Sequence, residues 1–347
     1  MPGPKRRGAT PIDPVLVPLW HEVLDLAETL RQAEPWRRSA PNALLGVRDP
    51  ATGSIDWCSL VGHDGQVFGV AIYSGDAGYA TLHRLHAGEV EEFDEQITQQ
   101  AIVVSFVASA EVLPSFKSIL KALGRSYRGA HAWPEVLRHV PTFMPVPPDE
   151  PNELRRLALT LRGLLALTPR LAGELRGGEC EIDDHALVVE PPFPPGTVQT
   201  RPLPHVEREP VVVPAHDRLA AKRAKRHDGG EPRFWFVDWF SGLGIIDGPE
   251  AEGRPYFTAH VLVLDMQKDL LLKVDLCRID EVPAMLQKLL IAAATNGCPT
   301  DVVVRRLAVA QVLQPVAEDL GCVVHHEPDS VAVTRHVFEQ TLQFFGK

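Results

Sequence analysis

The side chains of this sequence with the clearest potential for chemistry are carboxylates, histidines and arginines towards its C-terminal end. Asp265 directly follows the apolar run 261–264. An aspartate at such a strand end either ligates a divalent cation or opens a turn. His325 and His326 are not expected to share one metal ion, because neighbouring residues of a strand point to opposite faces. The sequence therefore predicts no metal site and leaves Asp265 as the catalytic candidate.

Two further segments carry side chains suited to binding. Residues 220–230 hold a basic cluster in which Lys222 and Arg223 either meet phosphate or an acidic partner, or form a solvated helix face. Residues 234–240 are dense in aromatic side chains, and Trp239 is the candidate there for contact with a partner. Packing between domains is the alternative for this aromatic segment. We expect no cofactor, because neither common glycine-rich phosphate loop nor a Gly-x-Ser-x-Gly motif occurs.

The composition is that of an ordinary globular protein, with 45% apolar and 23% charged side chains among 347 residues. A formal net charge of −10 argues against a surface that grips nucleic acid or membrane throughout. It leaves open a protein partner, or nucleic acid at a local basic patch. The five cysteines form no C-x-x-C pair, and no apolar run reaches the roughly 18 residues that cross a bilayer. We therefore expect a cytoplasmic protein without a membrane partner.

The spacing of apolar residues and turn formers divides the chain into two domains and a connector. Residues 1–12 are predicted to be a disordered tail, and residues 13–170 an α+β domain that begins with a helix. Residues 171–232 are rich in proline and end in the basic cluster, so we interpret them as a connector without its own core. Residues 233–347 alternate strands with helices, which predicts an α/β domain whose last helix covers residues 331–345.

The C-terminal part contains an apolar strand ending in aspartate, a Gly-x-Pro step, a buried strand and a Gly before a strand, at residues 261–265, 297–299, 301–304 and 320–324. In these pieces it resembles the ribonuclease-H-like fold and, in its local sequence, the integrase and transposase members of that fold. The resemblance implies a mixed sheet and carboxylates that converge on two divalent cations, with Asp265 among them. Arg305 and Arg306 stand where a further carboxylate is expected, and they repel cations. A third antiparallel strand, expected after residue 276, is not visible there.

A second set of segments covers most of both halves: residues 35–36, 46–50, 68–75, 127–129 and 133–134 in the first half and residues 254–255, 262–265 and 297–321 in the second. In these segments the whole chain resembles a pair of bacterial domains of unknown function that occur together. This resemblance implies an uncharacterised two-domain family and adds no mechanism.

These patterns favour a non-catalytic binding or accessory protein over an enzyme. Its binding candidates are Arg305, Arg306, Lys222, Arg223 and Trp239. Two alternatives stay open. One is a metal-dependent nuclease or phosphotransferase of ribonuclease-H-like type that uses Asp265, and the other is a structural protein-interaction module that uses the aromatic residues of 234–240.

Overall fold

The computed structural model describes eight stretches of the chain, which form two compact units. The described residues are 12–39, 43–90, 94–174, 185–193, 197–207, 210–225, 233–247 and 254–330. Almost all of the predicted tail at 1–12 and the whole helix predicted over 331–345 lie outside them. Unit 1 takes the described residues up to 90, 98–141 and 145–206, and unit 2 takes 94–97, 142–144 and those from 207 onward.

Unit 1 is built on a seven-stranded mixed sheet. Its strands are β1 (Leu44–Arg48), β2 (Ile55–Val61), β3 (Phe68–Ser74), β4 (Ala101–Val107), β5 (Trp133–His139), β6 (His185–Glu190) and β7 (Thr197–Pro202). They lie in the order β5-β4-β3-β2-β1-β6-β7. Neighbours are antiparallel except β1 and β6, which run parallel.

Helices cover both faces of this sheet. The helices of the first half are α1 (Leu16–Ala33), α2 (Gly75–His86), α3 (Glu95–Thr98), α4 (Pro114–Ala122) and α5 (Pro151–Glu174), with a 3-10 turn at Pro35–Arg37. The main core packs α1, α4 and α5 against one face, and α2 packs on the other beside Trp57 and Tyr73. α1 begins at Leu16, and just before it the Asp13 side chain accepts the N–H of Val15 at 2.9 Å.

The predicted connector differs from the structure, since β6 and β7 belong to the sheet of unit 1. Residues 186–189 are apolar and pair with β1 in parallel, although some 140 residues separate them in sequence. The prolines that suggested a connector flank these strands. Pro202 ends β7 at the edge of the sheet, where a missing N–H costs little.

Unit 2 contains a five-stranded sheet with helical crossovers. Its strands are β8 (Phe234–Asp247), β9 (Pro255–Asp265), β10 (Leu270–Arg278), β11 (Asp301–Val304) and β12 (Val323–His326), and its helices are α6 (Arg218–Lys225), α7 (Val282–Ala294) and α8 (Leu307–Leu320), with 3-10 turns at Ile279–Glu281 and Pro328–Ser330. The order is β10-β9-β8-β11-β12. β8, β9 and β10 are antiparallel, while β11 is parallel to both β8 and β12.

The third antiparallel strand of unit 2 therefore precedes the predicted hairpin and is β8. The aromatic segment 234–240 forms its first half, and Asp265 ends the second strand of the sheet, not the first. α6 also falls within the predicted connector, yet Ala221 and Ala224 are buried against α7 and α8. Its short apolar side is too brief to show helical periodicity in the sequence.

Both units thus combine helices with a mixed sheet, and the predicted mixed α/β class is confirmed in this general form. Within the described stretches, no helix has both the length and the apolar character needed to cross a bilayer.

Candidate functional site

Unit 2 buries a cluster of alternating charges, which we call the Asp238 cluster: Asp94, Asp238, Arg305 and Arg306. Arg305 Nε donates to Asp238 Oδ2 at 2.9 Å, and Arg306 Nη1 donates to Asp238 Oδ1 at 3.3 Å. Arg306 Nη2 donates to Asp94 Oδ2 at 2.6 Å. The guanidinium of Arg306 therefore bridges the two carboxylates.

The sheet brings this cluster together. Asp238 lies in the middle of β8, and β11 runs parallel to β8 with Val303 opposite Phe236. Because β11 ends at Val304, the next residue, Arg305, comes level with Asp238. Arg306 follows at the entry to α8 and turns back over β8. The end of one short parallel strand thus places both arginines on one carboxylate.

Burial makes the charge balance of the cluster important. The side chains of Asp238 and Arg305 are almost completely buried, and those of Arg306 and Asp94 are 12% and 11% exposed. Burial raises the pKa of Asp94 to about 6, against the attraction of Arg306, and Asp238 raises it further. Burial, together with Arg306, lowers the pKa of Arg305 to about 9 and leaves it cationic at neutral pH. Two anions then face two cations, as buried charges require.

Trp239 also takes part in this cluster. The guanidinium carbon of Arg306 lies 4.1 Å from the centre of the Trp239 ring, and Arg306 Nη1 donates to the Trp239 carbonyl at 2.8 Å. A cation over an indole face is attracted by the ring quadrupole. The tryptophan proposed for partner contact is thus half-buried and supports an internal arginine.

The residues around Asp238 do not fit a divalent cation. Each of its carboxylate oxygens faces a guanidinium, and a metal ion would have to displace both cations to reach its ligand. In the part of the chain that the structure describes, no three His, Cys, Asp or Glu side chains gather as metal ligands do. The arrangement neutralises the buried charges and joins the end of β11 to β8.

Asp265 lies apart from this cluster. Its Oδ1 accepts the N–H groups of Gln267 at 3.0 Å and Lys268 at 3.1 Å, so the carboxylate opens the turn between β9 and β10. Asp265 pairs across the sheet with Trp235, whereas Asp238 pairs with Leu262. Along the strand direction the two aspartates are three residues apart, a distance of about 10 Å. The structure therefore does not bring Asp265 together with Arg305 or Arg306.

The basic candidates lie on one exposed side of α6. Lys222 and Arg223 are exposed, while the helix is anchored at its start by Asp319, which accepts from Arg218 Nε at 3.0 Å and lies 3.0 Å from His216 Nε2. These two contacts lower the pKa of Asp319 to about 2. The last arginine of the predicted basic cluster, at 226, lies outside the described residues. Binding at Lys222 and Arg223 stays a prediction.

The aromatic residues of β8 pack mainly inward, on both faces of the sheet. Trp235 contributes to the core beneath α7 and α8, and Phe236 and Phe240 form a small cluster with Leu262 on the opposite face. Asp238 was missed in the sequence because it stands as a single carboxylate within this aromatic run. The aromatic run could have revealed it, because a charged side chain among alternating core residues requires a buried partner of opposite charge.

Unit 1 also buries an aspartate beside an arginine, Asp56 on β2. It accepts from Ser74 Oγ at 2.8 Å, Thr160 Oγ1 at 2.6 Å and Arg156 Nε at 3.0 Å. Arg156 and Thr160 thus tie α5 to β2 through one ion pair and one hydroxyl group, and the hydroxyl of Ser74 links the end of β3 to the same carboxylate. This group, the Asp56 cluster, is a structural counterpart to the Asp238 cluster.

Comparison with known proteins places a family domain in each half of the chain. Residues 20–179 match the family model of a domain of unknown function, DUF7309, and residues 220–338 match a second domain of unknown function, DUF6930. The predicted two-domain organisation of unknown function is confirmed in this form. No curated protein and no solved structure matches the chain significantly.

Proposed function

We propose that this chain is a non-catalytic binding or accessory protein whose second unit is a ribonuclease-H-like domain with an internal salt bridge in place of a metal site. Three antiparallel strands followed by two parallel ones, in the order β10-β9-β8-β11-β12, support this assignment. So do the crossovers through α7 and α8, which connect β10 to β11 and β11 to β12.

The contact between Arg305 and Asp238 carries the proposal. In the ribonuclease-H-like resemblance, carboxylates converge where the buried parallel strand ends beside the first antiparallel strand. Asp238 stands on that first strand, and the end of β11 delivers Arg305 to it at 2.9 Å. Arg306 neutralises the other oxygen of the same carboxylate. The scaffold keeps one acidic group and replaces its neighbour by cations, which favours binding over metal-assisted hydrolysis.

Hydrolysis assays test this proposal directly. Purified full-length protein is incubated with single-stranded and duplex DNA and RNA in Mg²⁺ or Mn²⁺, beside the variants Asp238→Asn and Asp265→Asn. We expect cleavage no faster than in buffer, and no shift of the melting temperature on titration with Mn²⁺. Metal-dependent cleavage that Asp238→Asn or Asp265→Asn abolishes in a folded protein, as judged by circular dichroism, would overturn the proposal.

A further inference from the structure

The outer edge of β10 is an apolar surface that the described residues of unit 2 leave exposed. β10 ends the sheet, and no described strand pairs with its outer side. Four of its apolar side chains are 44–53% exposed: Leu270, Leu271, Val274 and Leu276. Proteins usually protect an edge strand of nine residues with charges, proline or a covering element, because its free N–H and C=O groups invite another strand.

The backbone of β10 shows which residues offer hydrogen bonds to that outer side. The N–H of Leu276 is bonded to the side chain of Asp275 at 2.9 Å and is not directed at β9. Successive N–H groups of a strand alternate in direction, so the N–H and C=O of Val274 also point outward. Val274 can therefore form a closely hydrogen-bonded pair with a strand that approaches this edge.

The charges of β10 are self-complementary about Val274. When two copies of the strand lie antiparallel with Val274 opposite Val274, residues equally distant from it face each other. Lys273 of each copy then faces Asp275 of the other, so one contact of opposite charges is repeated twice by symmetry. Leu272 lies opposite Leu276 in this register, but the β-bulge between Leu271 and Lys273 turns its side chain to the face of Lys273, against the core beneath α7 and α8. If any other residue between 272 and 276 lay on the symmetry axis, Lys273 would no longer face Asp275.

The side chains of this edge also divide between the two faces of the sheet. Val274 pairs with Leu262 and Leu276 pairs with His260, so both lie on the face that carries Phe236 and Phe240. Lys273 and Asp275 pair with Val263 and Val261 and lie on the other face. Pairing two copies would join apolar side chains along one face and ion pairs along the other.

We propose that β10 pairs antiparallel with β10 of a second copy of this chain, with Val274 on the two-fold axis. The two five-stranded sheets then form one sheet of ten strands. Asp275 leaves the N–H of Leu276 and meets Lys273 of the second copy, and the released N–H bonds across the new pair. This inference does not depend on the proposed function, since it concerns an edge about 10 Å or more from the Asp238 cluster, two strands away.

Charge reversal tests the proposal in the full-length chain. The oligomeric state is measured by sedimentation equilibrium over a range of concentrations for the wild type, Lys273→Asp, Asp275→Lys and the double variant. We expect a dimer for the wild type, and each single reversal should raise the dimer dissociation constant about tenfold or more, because symmetry places like charges together twice. The double reversal restores the opposite charges and should restore the dimer.

Other outcomes overturn the proposal. A monomeric wild type would do so, and so would a dimer that withstands both single reversals or that the double reversal does not restore. If the wild type were monomeric alone but bound a strand of a different protein at β10, the partner of this edge would be that protein and not a second copy. Val274→Pro provides a second route, because it removes an outward N–H without removing a bond to β9, and its melting temperature verifies the fold.

Discussion

The two units each bury an aspartate beside arginine, but they neutralise it differently. Asp56 in unit 1 receives one guanidinium and two hydroxyl groups, and Arg156 keeps 31% of its side chain exposed. Asp238 in unit 2 receives two guanidinium groups that are themselves buried. A hydroxyl donor satisfies a carboxylate without adding a charge that must be balanced in turn. The Asp56 cluster is therefore complete as a local contact, whereas the Asp238 cluster needs a further anion, Asp94.

This difference indicates distinct roles for the two clusters. The Asp56 cluster connects a strand to a helix and can be understood as structural support. The Asp238 cluster is placed where the strand order of unit 2 brings together the ends of separate elements, and desolvating four charges there is expensive. A hydrophobic core of similar volume would stabilise the unit equally well. The ion pairs instead hold the end of β11 and the start of α8 against β8.

Removal of Arg305 should produce the largest effect of any single change in either cluster. In Arg305→Met, the fully buried Asp238 keeps Arg306 but loses its second counter-ion. We expect the free energy of unfolding of unit 2 to fall by about 3–5 kcal/mol, as for other buried ion pairs that lose one partner. The measurement is urea unfolding combined with hydrogen exchange at the amides of β8.

An exposed arginine in the same unit provides the matched control. Arg218 pairs with Asp319 and its side chain is largely exposed, so Arg218→Met should cost far less stability than Arg305→Met. If Arg305→Met cost no more than Arg218→Met, burial would not strengthen the contribution of the Asp238 cluster to stability.

Lowering the pH should stabilise unit 2 through Asp94. Its folded pKa is raised to about 6, above the value of 3.8 for the unfolded chain. Between these values the folded state binds the proton first, so this contribution is fully present below pH 3.8 and is lost as the pH rises through 6. The stability of the wild type relative to Asp94→Asn should therefore increase by up to about 3 kcal/mol from pH 7.5 to pH 4.

Urea unfolding at several pH values measures this difference. The comparison with Asp94→Asn removes the contributions of all other titrating groups, provided that the variant keeps the same fold. A stability difference that stays constant from pH 7.5 to pH 4 would contradict the raised pKa.

The Asp56 cluster should withstand the loss of its arginine better than the Asp238 cluster. In Arg156→Ala, Ser74 and Thr160 still donate to Asp56, and the removed side chain is already partly solvated. We expect a loss of about 1–2 kcal/mol in the free energy of unfolding of unit 1. Adding Thr160→Val should cost more in the Arg156→Ala background than alone, because the two donors then no longer compensate for one another. Equal costs in both backgrounds would mean that the donors act independently.

The sequence predicts well those features that depend on near neighbours along the chain. α1 is an example, because the apolar spacing that predicts it lies within one segment. The turn at Asp265 is another, since its acceptor and donors are two and three residues apart. The two-domain division and the mixed α/β class follow from sums over such local patterns.

Features that depend on pairing between distant residues cannot be predicted from the sequence pattern alone. Asp238 becomes notable only through Arg305, which lies 67 residues later and meets it because β11 adds beside β8. In the sequence, β6 is a short apolar run among prolines, and only its pairing with β1 makes it part of a sheet. Locally, both segments resemble many others, and the free energy that fixes them comes from tertiary contacts.

Asp265→Asn should have the smallest effect on stability. It distinguishes Asp265, which opens a turn, from Asp238, which is held in buried ion pairs. Asparagine keeps a side-chain oxygen that can accept the N–H groups of Gln267 and Lys268, so we expect a change below about 0.5 kcal/mol. Asp265→Ala removes that acceptor and should cost about 1–2 kcal/mol. Lys268 Nζ lies 3.9 Å from the carboxylate and is exposed, so its ion pair adds little. If Asn proved as costly as Ala, the negative charge itself would be required at the end of β9, and Asp265 would return as a candidate for binding a cation.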